Sequence, residues 1–154
     1  MIQVGIIGTG FIGPAHIEAI RRLGFVEVVA LCDANLADAQ QKARQLGVPH
    51  AYASVEALLA HPGLQVVHNC TPNHLHAEIN RQILRAGKHV FSEKPLCMTV
   101  EEARELVALA EQANVVHGVS FVYRQFAMVQ QAASLRQSGQ LRSEERRVGK
   151  ECRS

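Results

Sequence analysis

The hexapeptide Gly8-Thr9-Gly10-Phe11-Ile12-Gly13 follows the apolar run Ile2-Gln3-Val4-Gly5-Ile6-Ile7 without a break and leads straight into a helical pattern. A G-x-G-x-x-G spacing alone arises by chance. A strand before it, a helix after it and an acid about 20 residues on turn it into a unit with a physical logic. Gly8 permits a tight turn, Gly10 leaves the backbone bare where a pyrophosphate approaches, and Gly13 lets helix and strand pack closely. The free N–H groups and positive dipole end of a helix beginning near Ile12 then face the phosphates. Gly8, Gly10, Phe11, Ile12 and Gly13 are therefore the candidate phosphate-binding residues. Asp33 closes the next apolar run, Val26-Glu27-Val28-Val29-Ala30-Leu31-Cys32, and is placed to accept hydrogen bonds from the ribose hydroxyls of an adenosine. Its charge would repel a 2′-phosphate, and residues 34–36 (Ala, Asn, Leu) add no cation, so NAD is expected over NADP as cofactor.

The rest of the chain alternates strand and helix patterns with short connections, the signature of an α/β fold with a doubly wound parallel sheet. A helix over 12–23 is closed by Gly24, and one over 36–46 by Gly47. A short third strand over 48–53 contains Pro49, which suits an edge. Ser54 caps a short helix, and a fourth strand over 65–70 runs into Thr71-Pro72. Helix 74–86 stops at Gly87, strand 88–91 follows, and Thr99 with Glu102 forms the capping box of a helix to about 113. A sixth strand over 115–121 and a helix over 126–137 complete the pattern. Six strands in two mononucleotide-binding halves predict the Rossmann order 3-2-1-4-5-6.

Length and charge narrow the function classes. No apolar run approaches the ~20 residues that cross a bilayer, and the chain enters a strand at once with no signal-peptide pattern. Cys32, Cys70, Cys97 and Cys152 show no C-x-x-C spacing, so a reduced cytoplasm is the expected setting, with Cys32 and Cys70 as buried thiols at strand ends. Residues 1–141 hold 11 Lys+Arg and 11 Asp+Glu, so the net charge of +2 arises entirely beyond them and gives no reason to expect a nucleic-acid or membrane partner. Residues 142–154 change composition abruptly and carry no apolar period; they resemble the in-frame translation of a sequencing-adapter oligonucleotide. The expected organisation is a dinucleotide-binding domain over 1–141 and a non-native tail over 142–154.

Ligands of such sheets bind beyond the carboxyl ends of the strands. Thr71-Pro72-Asn73, Ser92-Glu93-Lys94-Pro95 and Tyr123-Arg124 follow the fourth, fifth and sixth strands and are expected to converge near a nicotinamide. The glycine motif, Cys70-Thr71-Pro72-Asn73 with His76, the Ala86-Gly87-Lys88-His89-Val90 strand leading into Glu93-Lys94-Pro95-Leu96, and Phe121-Val122-Tyr123-Arg124 together resemble the Gfo/Idh/MocA family of oxidoreductases. The likeness covers 1–141, and Glu93-Lys94-Pro95 is its most diagnostic part.

The resemblance implies a dehydrogenase of a sugar, polyol or related hydroxy compound, with hydride passing to nicotinamide C4. Lys94 would be the catalytic residue, contacting the substrate hydroxyl and the nicotinamide ribose. Thr71, Pro72, Asn73, His76, Glu93 and Arg124 would join the cofactor-binding set. Glu93 either binds the nicotinamide ribose or orients Lys94, with a structural salt bridge as a third option. Arg124 either touches the cofactor or forms a surface ion pair. Pro95 would fix a turn, and a cis Lys94–Pro95 bond is one way to build it. His76 is expected to hydrogen-bond around the Thr71-Pro72 loop, and His16 to be packed or solvated. His74-x-His76 is too incomplete for a metal site. A Ser-His-Asp hydrolase reading fails for want of Gly-x-Ser-x-Gly. The family's second, substrate-binding domain would begin where the likeness stops, so the chain is expected to be an inactive cofactor half of a parent that is a homo-oligomer. The alternative is a non-catalytic NAD-sensing module, against which Lys94 argues.

Overall fold

The computed structural model describes residues 1–140; the tail expected over 142–154 lies outside them. The described chain divides into a compact unit over Met1–Ser120 and a second that begins at Phe121, a boundary inside the 1–141 stretch read as one domain from the sequence.

The first unit is a six-stranded parallel sheet in the order β3-β2-β1-β4-β5-β6, as the alternating pattern predicts. The strands are β1 (Ile2–Ile7), β2 (Val26–Cys32), β3 (His50–Tyr52), β4 (Val66–Asn69), β5 (His89–Ser92) and β6 (His117–Val119). The helices of this unit are α1 (Gly13–Arg21), α2 (Leu36–Leu46), α3 (Val55–Leu59), α4 (His76–Arg85) and α5 (Val100–Ala113). Register aligns Tyr52, Cys32, Ile7, Asn69, Ser92 and Val119 in one row across the sheet. Each is the last residue of its strand, so every following loop leaves from the same edge.

Strand alternation sends side chains to two cores. Val4, Ile6, Val28 and Leu31 pack with Ile17 and Ile20 of α1 and Ala39 and Ala43 of α2. Ile7, Val29, Val67 and Val90 pack with Leu58, Ile79, Ile83 and Leu106 from α3, α4 and α5. Each large buried aliphatic contributes roughly 1.5–3 kcal/mol of transfer free energy, so α1 is held mainly by Ile17 and Ile20. Its own ends are weakly specified: it has no side-chain cap at Ile12 and stops at Arg21, short of the expected 23.

Elsewhere local chemistry sets the boundaries. The Asn35 side chain accepts from the Ala37 N–H at 2.8 Å, and Gly47 closes α2 at φ +60°. Thr99 and Glu102 form the reciprocal capping box of α5. Helix α4 begins at His76 rather than 74, because residues Asn73–Leu75 wind as a 3-10 turn with Leu75 N–H donating to Pro72 C=O at 2.9 Å. The second unit contains a 3-10 turn, Val122–Gln125, and α6, Ala127–Gln137.

Candidate functional site

The glycine-rich loop leaves β1 with Gly8 at φ +91°, and a Cβ there would lie 2.6 Å from the Cys70 carbonyl oxygen. Gly8 is thus required both for its conformation and for its closeness to the neighbouring strand end. A Cβ on Gly13 would meet the Gly8 carbonyl oxygen at 2.4 Å, so the helix start is pressed against the turn. Gly10 is different: nothing lies within 4 Å of the position its Cβ would take. The backbone N–H groups of Gly10, Phe11 and Ile12 find no acceptor among the described residues, and Phe11 stands fully exposed. An open glycine beside unpaired amides at a helix start is a cradle suited to an anion.

The cradle opens on a cavity of about 850 Å³ bounded by Gly8, Gly10, Phe11, Ile12, Asp33, Thr71 and Pro72, with Asp38, Gln41 and Lys42 of α2 on the far wall. A second cavity of about 460 Å³ shares Gly8, Asp33, Thr71 and Pro72 and is walled by Ala53, Val55, Leu75 and Ile79. These residues suit a dinucleotide: amides for phosphate, a carboxylate for a ribose, and an apolar slot beyond it.

Asp33 does two things at once. Its Oδ2 accepts the Thr9 N–H at 3.0 Å and the Thr9 hydroxyl, and its Oδ1 accepts the Ala34 N–H at 2.8 Å. Burial raises the Asp33 carboxyl, but the Thr9 hydroxyl, the Ala34 and Thr9 amides and the Lys42 ammonium outweigh it and hold the group below its usual value. Lys42 is a cation that the sequence reading passed over, because it follows the acid by two turns of α2 rather than by one or two residues.

Thr71 and Pro72 sit at the cavity mouth, and their loop is fixed from behind. Thr71 donates from its hydroxyl to Asn69 Oδ1 at 2.7 Å, Asn69 donates to Asn80 Oδ1 at 2.8 Å, and Asn80 donates to Ser92 Oγ at 3.0 Å. His76, expected to hydrogen-bond around the Thr71-Pro72 loop, does so from a buried position. Its ring nitrogens lie 2.7 Å from the Thr71 carbonyl oxygen and 2.6 Å from that of Pro95, joining the loops after β4 and β5. Asn73 and His74 are exposed at the 3-10 turn, whereas His76 is buried.

Beyond β5, Glu93 is buried and Lys94 exposed, and the Lys94–Pro95 peptide is cis. The Lys94 ammonium forms no ion pair or hydrogen bond within the first unit. Glu93 points inward: Oε1 lies 2.9 Å from His16 Nε2, and Oε2 accepts the Lys94 backbone N–H at 3.2 Å. Burial raises the Glu93 carboxyl, while hydrogen bonds from His16, Ser120 and the Lys94 amide, with the charge of His16, bring it below the ordinary range. Burial, with Asp33 and Glu56, pushes Cys32 to about 11, and burial with Glu93 pushes Cys70 to about 12, so neither thiol is a nucleophile here. Arg124 lies in the second unit, on the 3-10 turn.

Sequence reasoning gave no role to Thr9, Lys42, Asn69, Asn80 or His68, and read His16 only as packed or solvated. The available signal was polarity: Asn69 and Ser92 end apolar strands immediately before the loops that carry the motifs.

Comparison with known proteins agrees with this geometry. Residues 2–121 match the Gfo/Idh/MocA model, described as an oxidoreductase family with an NAD-binding Rossmann fold. The levoglucosan dehydrogenase of Pseudarthrobacter phenanthrenivorans is 37% identical over 131 residues, 80% of this chain and 34% of the relative. D-xylose 1-dehydrogenase (NADP(+)) 2 of Haloferax volcanii is 36% identical over 134 residues, 87% of this chain and 41% of the relative. A solved levoglucosan dehydrogenase complex with NADH and levoglucosan aligns with a TM-score of 0.83 at 34% identity, over 90% of this chain and 39% of that one. The chain therefore spans about a third to two fifths of the length of these relatives. No helix among the described residues is long and apolar enough to cross a membrane.

Proposed function

The chain belongs to the Gfo/Idh/MocA oxidoreductase family, and from that premise we propose that it is the cofactor-binding half of an NAD-dependent dehydrogenase acting on a sugar, polyol or related hydroxy compound. The observation that carries the reading is the common edge of strand ends. On it Lys94, whose ammonium has no partner among the described residues, and an unobstructed amide cradle at Gly10 stand on either side of the Thr71-Pro72 loop. Bound there, the dinucleotide would supply a hydride acceptor at nicotinamide C4.

The residues of this chain do the rest. Gly10, Phe11 and Ile12 donate amide hydrogens to phosphate oxygens, and Asp33 keeps one lone-pair site on Oδ1 free for a ribose hydroxyl while Thr9 and Ala34 fix its orientation. A fixed carboxylate disfavours a 2′-phosphate, so NAD binds more tightly than NADP, with Lys42 moderating the preference. Thr71 and Pro72 shape the cavity mouth, and His76 and Glu93 hold the two loops. Lys94 donates a hydrogen bond to the substrate oxygen and positions the carbon that gives up hydride, while the hydroxyl proton leaves to a base that the following domain would supply as the CH–OH becomes a ketone. Residues of a following domain would complete the substrate pocket.

The test has two arms. NAD and NADP are titrated onto the chain, with tighter NAD expected; equal or tighter NADP removes Asp33 from the ribose site. In the parent protein, NADH formation is followed across pyranoses and polyols. There Lys94→Ala should lower turnover by about 10²- to 10⁴-fold while NAD affinity stays within about threefold. Near-normal turnover in the variant withdraws the catalytic assignment.

A further inference from the structure

Two imidazoles and a carboxylate stand in line beneath the glycine-rich loop, outside both cavities. His16 comes from α1, His68 from β4 and Glu93 from the end of β5. His16 Nε2 lies 2.9 Å from Glu93 Oε1, and His16 Nδ1 lies 2.9 Å from His68 Nδ1. The side chains of His16 and Glu93 are only 10% and 12% exposed, and Phe91 packs against both imidazoles. A carboxylate can only accept, so the proton facing Glu93 sits on His16 Nε2, and Nδ1 is left to exchange a hydrogen bond with His68. The second Glu93 oxygen holds the backbone N–H of Lys94 at 3.2 Å.

The line therefore runs from the helix that carries the phosphate cradle to the residue assigned to the reacting carbon. We propose that His16 is a positioning residue for Lys94: its Nε2–H anchors the Glu93 carboxylate, whose other oxygen fixes the Lys94 backbone. This rests on the catalytic assignment of Lys94 made above. His16 touches neither cofactor nor substrate. It acts by limiting where Lys94 can stand, and a displacement of about 1 Å at a reacting group costs on the order of 10²-fold in rate.

The experiment contrasts His16→Met, which fills the space and donates nothing, with His16→Gln, whose side-chain amide offers an N–H near the Nε2 position. In the parent protein His16→Met should lower kcat at least about tenfold with NAD affinity within about threefold, and His16→Gln should return kcat to within about threefold of the original. A packing role alone would leave Met and Gln equivalent, and that result overturns the proposal, as does unchanged kcat in the Met variant. A second readout needs no substrate: hydrogen exchange at the Lys94 amide of the chain should quicken at least about tenfold in His16→Met and recover in His16→Gln. If the parent protein oxidises none of the compounds tried, the functional reading fails while amide exchange still decides the anchoring contact; unchanged exchange sinks it. Should the Met variant not fold, Glu93→Leu carries the same test, because it removes both acceptor oxygens. Exchange as slow as in the unaltered chain would again refute the anchor.

Discussion

Gly10 and Gly13 belong to one motif and answer to different neighbours. A Cβ at Gly13 would press on a backbone carbonyl that cannot swing aside, whereas one at Gly10 would enter open space. Gly13→Ala is therefore expected to cost about 1–3 kcal/mol in a denaturant melt, as overpacking does. Gly10→Ala should shift the melt by less than about 0.5 kcal/mol, yet weaken NAD binding at least about tenfold by placing a methyl where phosphate oxygens approach. Equal effects on melting and binding in both variants would show that the two positions are not divided in this way. His68 gives a second residue-level outcome. Burial, with the neighbouring His16, pushes its imidazole down to about 3. The ordinary value is about 6.5, so below that pH the unfolded chain binds a proton that the folded chain refuses. Stability contributed by neutral His68 is complete above about 6.5 and falls by up to ~1.4 kcal/mol per pH unit as pH drops toward 3. Asp33 and Glu93, both held low, lose their contribution only in more acid solution. Between pH 7 and 5.5 the chain should lose about 1–2 kcal/mol more than His68→Gln in urea melts; parallel losses would mean that folded His68 accepts the proton.

At the scale of elements, what the sequence revealed was whatever is encoded by near neighbours. Helix α2 matches its expected 36–46 span, with Gly47 marking its end, and α5 is legible because Thr99 and Glu102 form a box three residues apart; the Asn35 cap of α2 emerges only in the structure. The start of α4 was misplaced because Pro72 and Leu75 close a tighter turn first, a choice set by burying His76 under two loops. Strands β3 and β6 are shorter than their apolar runs because each lies at a sheet edge and pairs for only three residues with a single partner. The His16–Glu93 contact was illegible for a different reason. Its partners are 77 residues apart, and only the register of β5 beside β4 and the seat of α1 across them bring the groups together. A lone histidine on an amphipathic helix reads as packed or solvated, and nothing local distinguishes the one that meets a carboxylate. Lys42 escaped for the same reason, since its proximity to Asp33 depends on how α2 lies over the end of β2.

Across the whole molecule, the sheet, both cores, the two cavities and the line from His68 to Lys94 all fall within Met1–Ser120, and the family match ends at residue 121. The first unit thus contains every contact that the proposed cofactor site uses, apart from Arg124. Its last strand, β6, is pinned by pairing with β5, and Ser120 N–H closes the edge on the Ser92 carbonyl oxygen at 2.9 Å. A protein ending at Ser120 cuts no strand and removes no member of either core cluster. It should melt in one cooperative transition and bind NAD within about tenfold of the full chain, because an exposed charge such as Arg124 adds at most about 1 kcal/mol to an ion pair. Calorimetric melting and NAD titration of the two lengths check this. A broad, non-cooperative melt would mean that residues from 121 onward complete the fold, and a far larger loss of affinity with melting unchanged would make the Tyr123-Arg124 turn a principal part of the cofactor site.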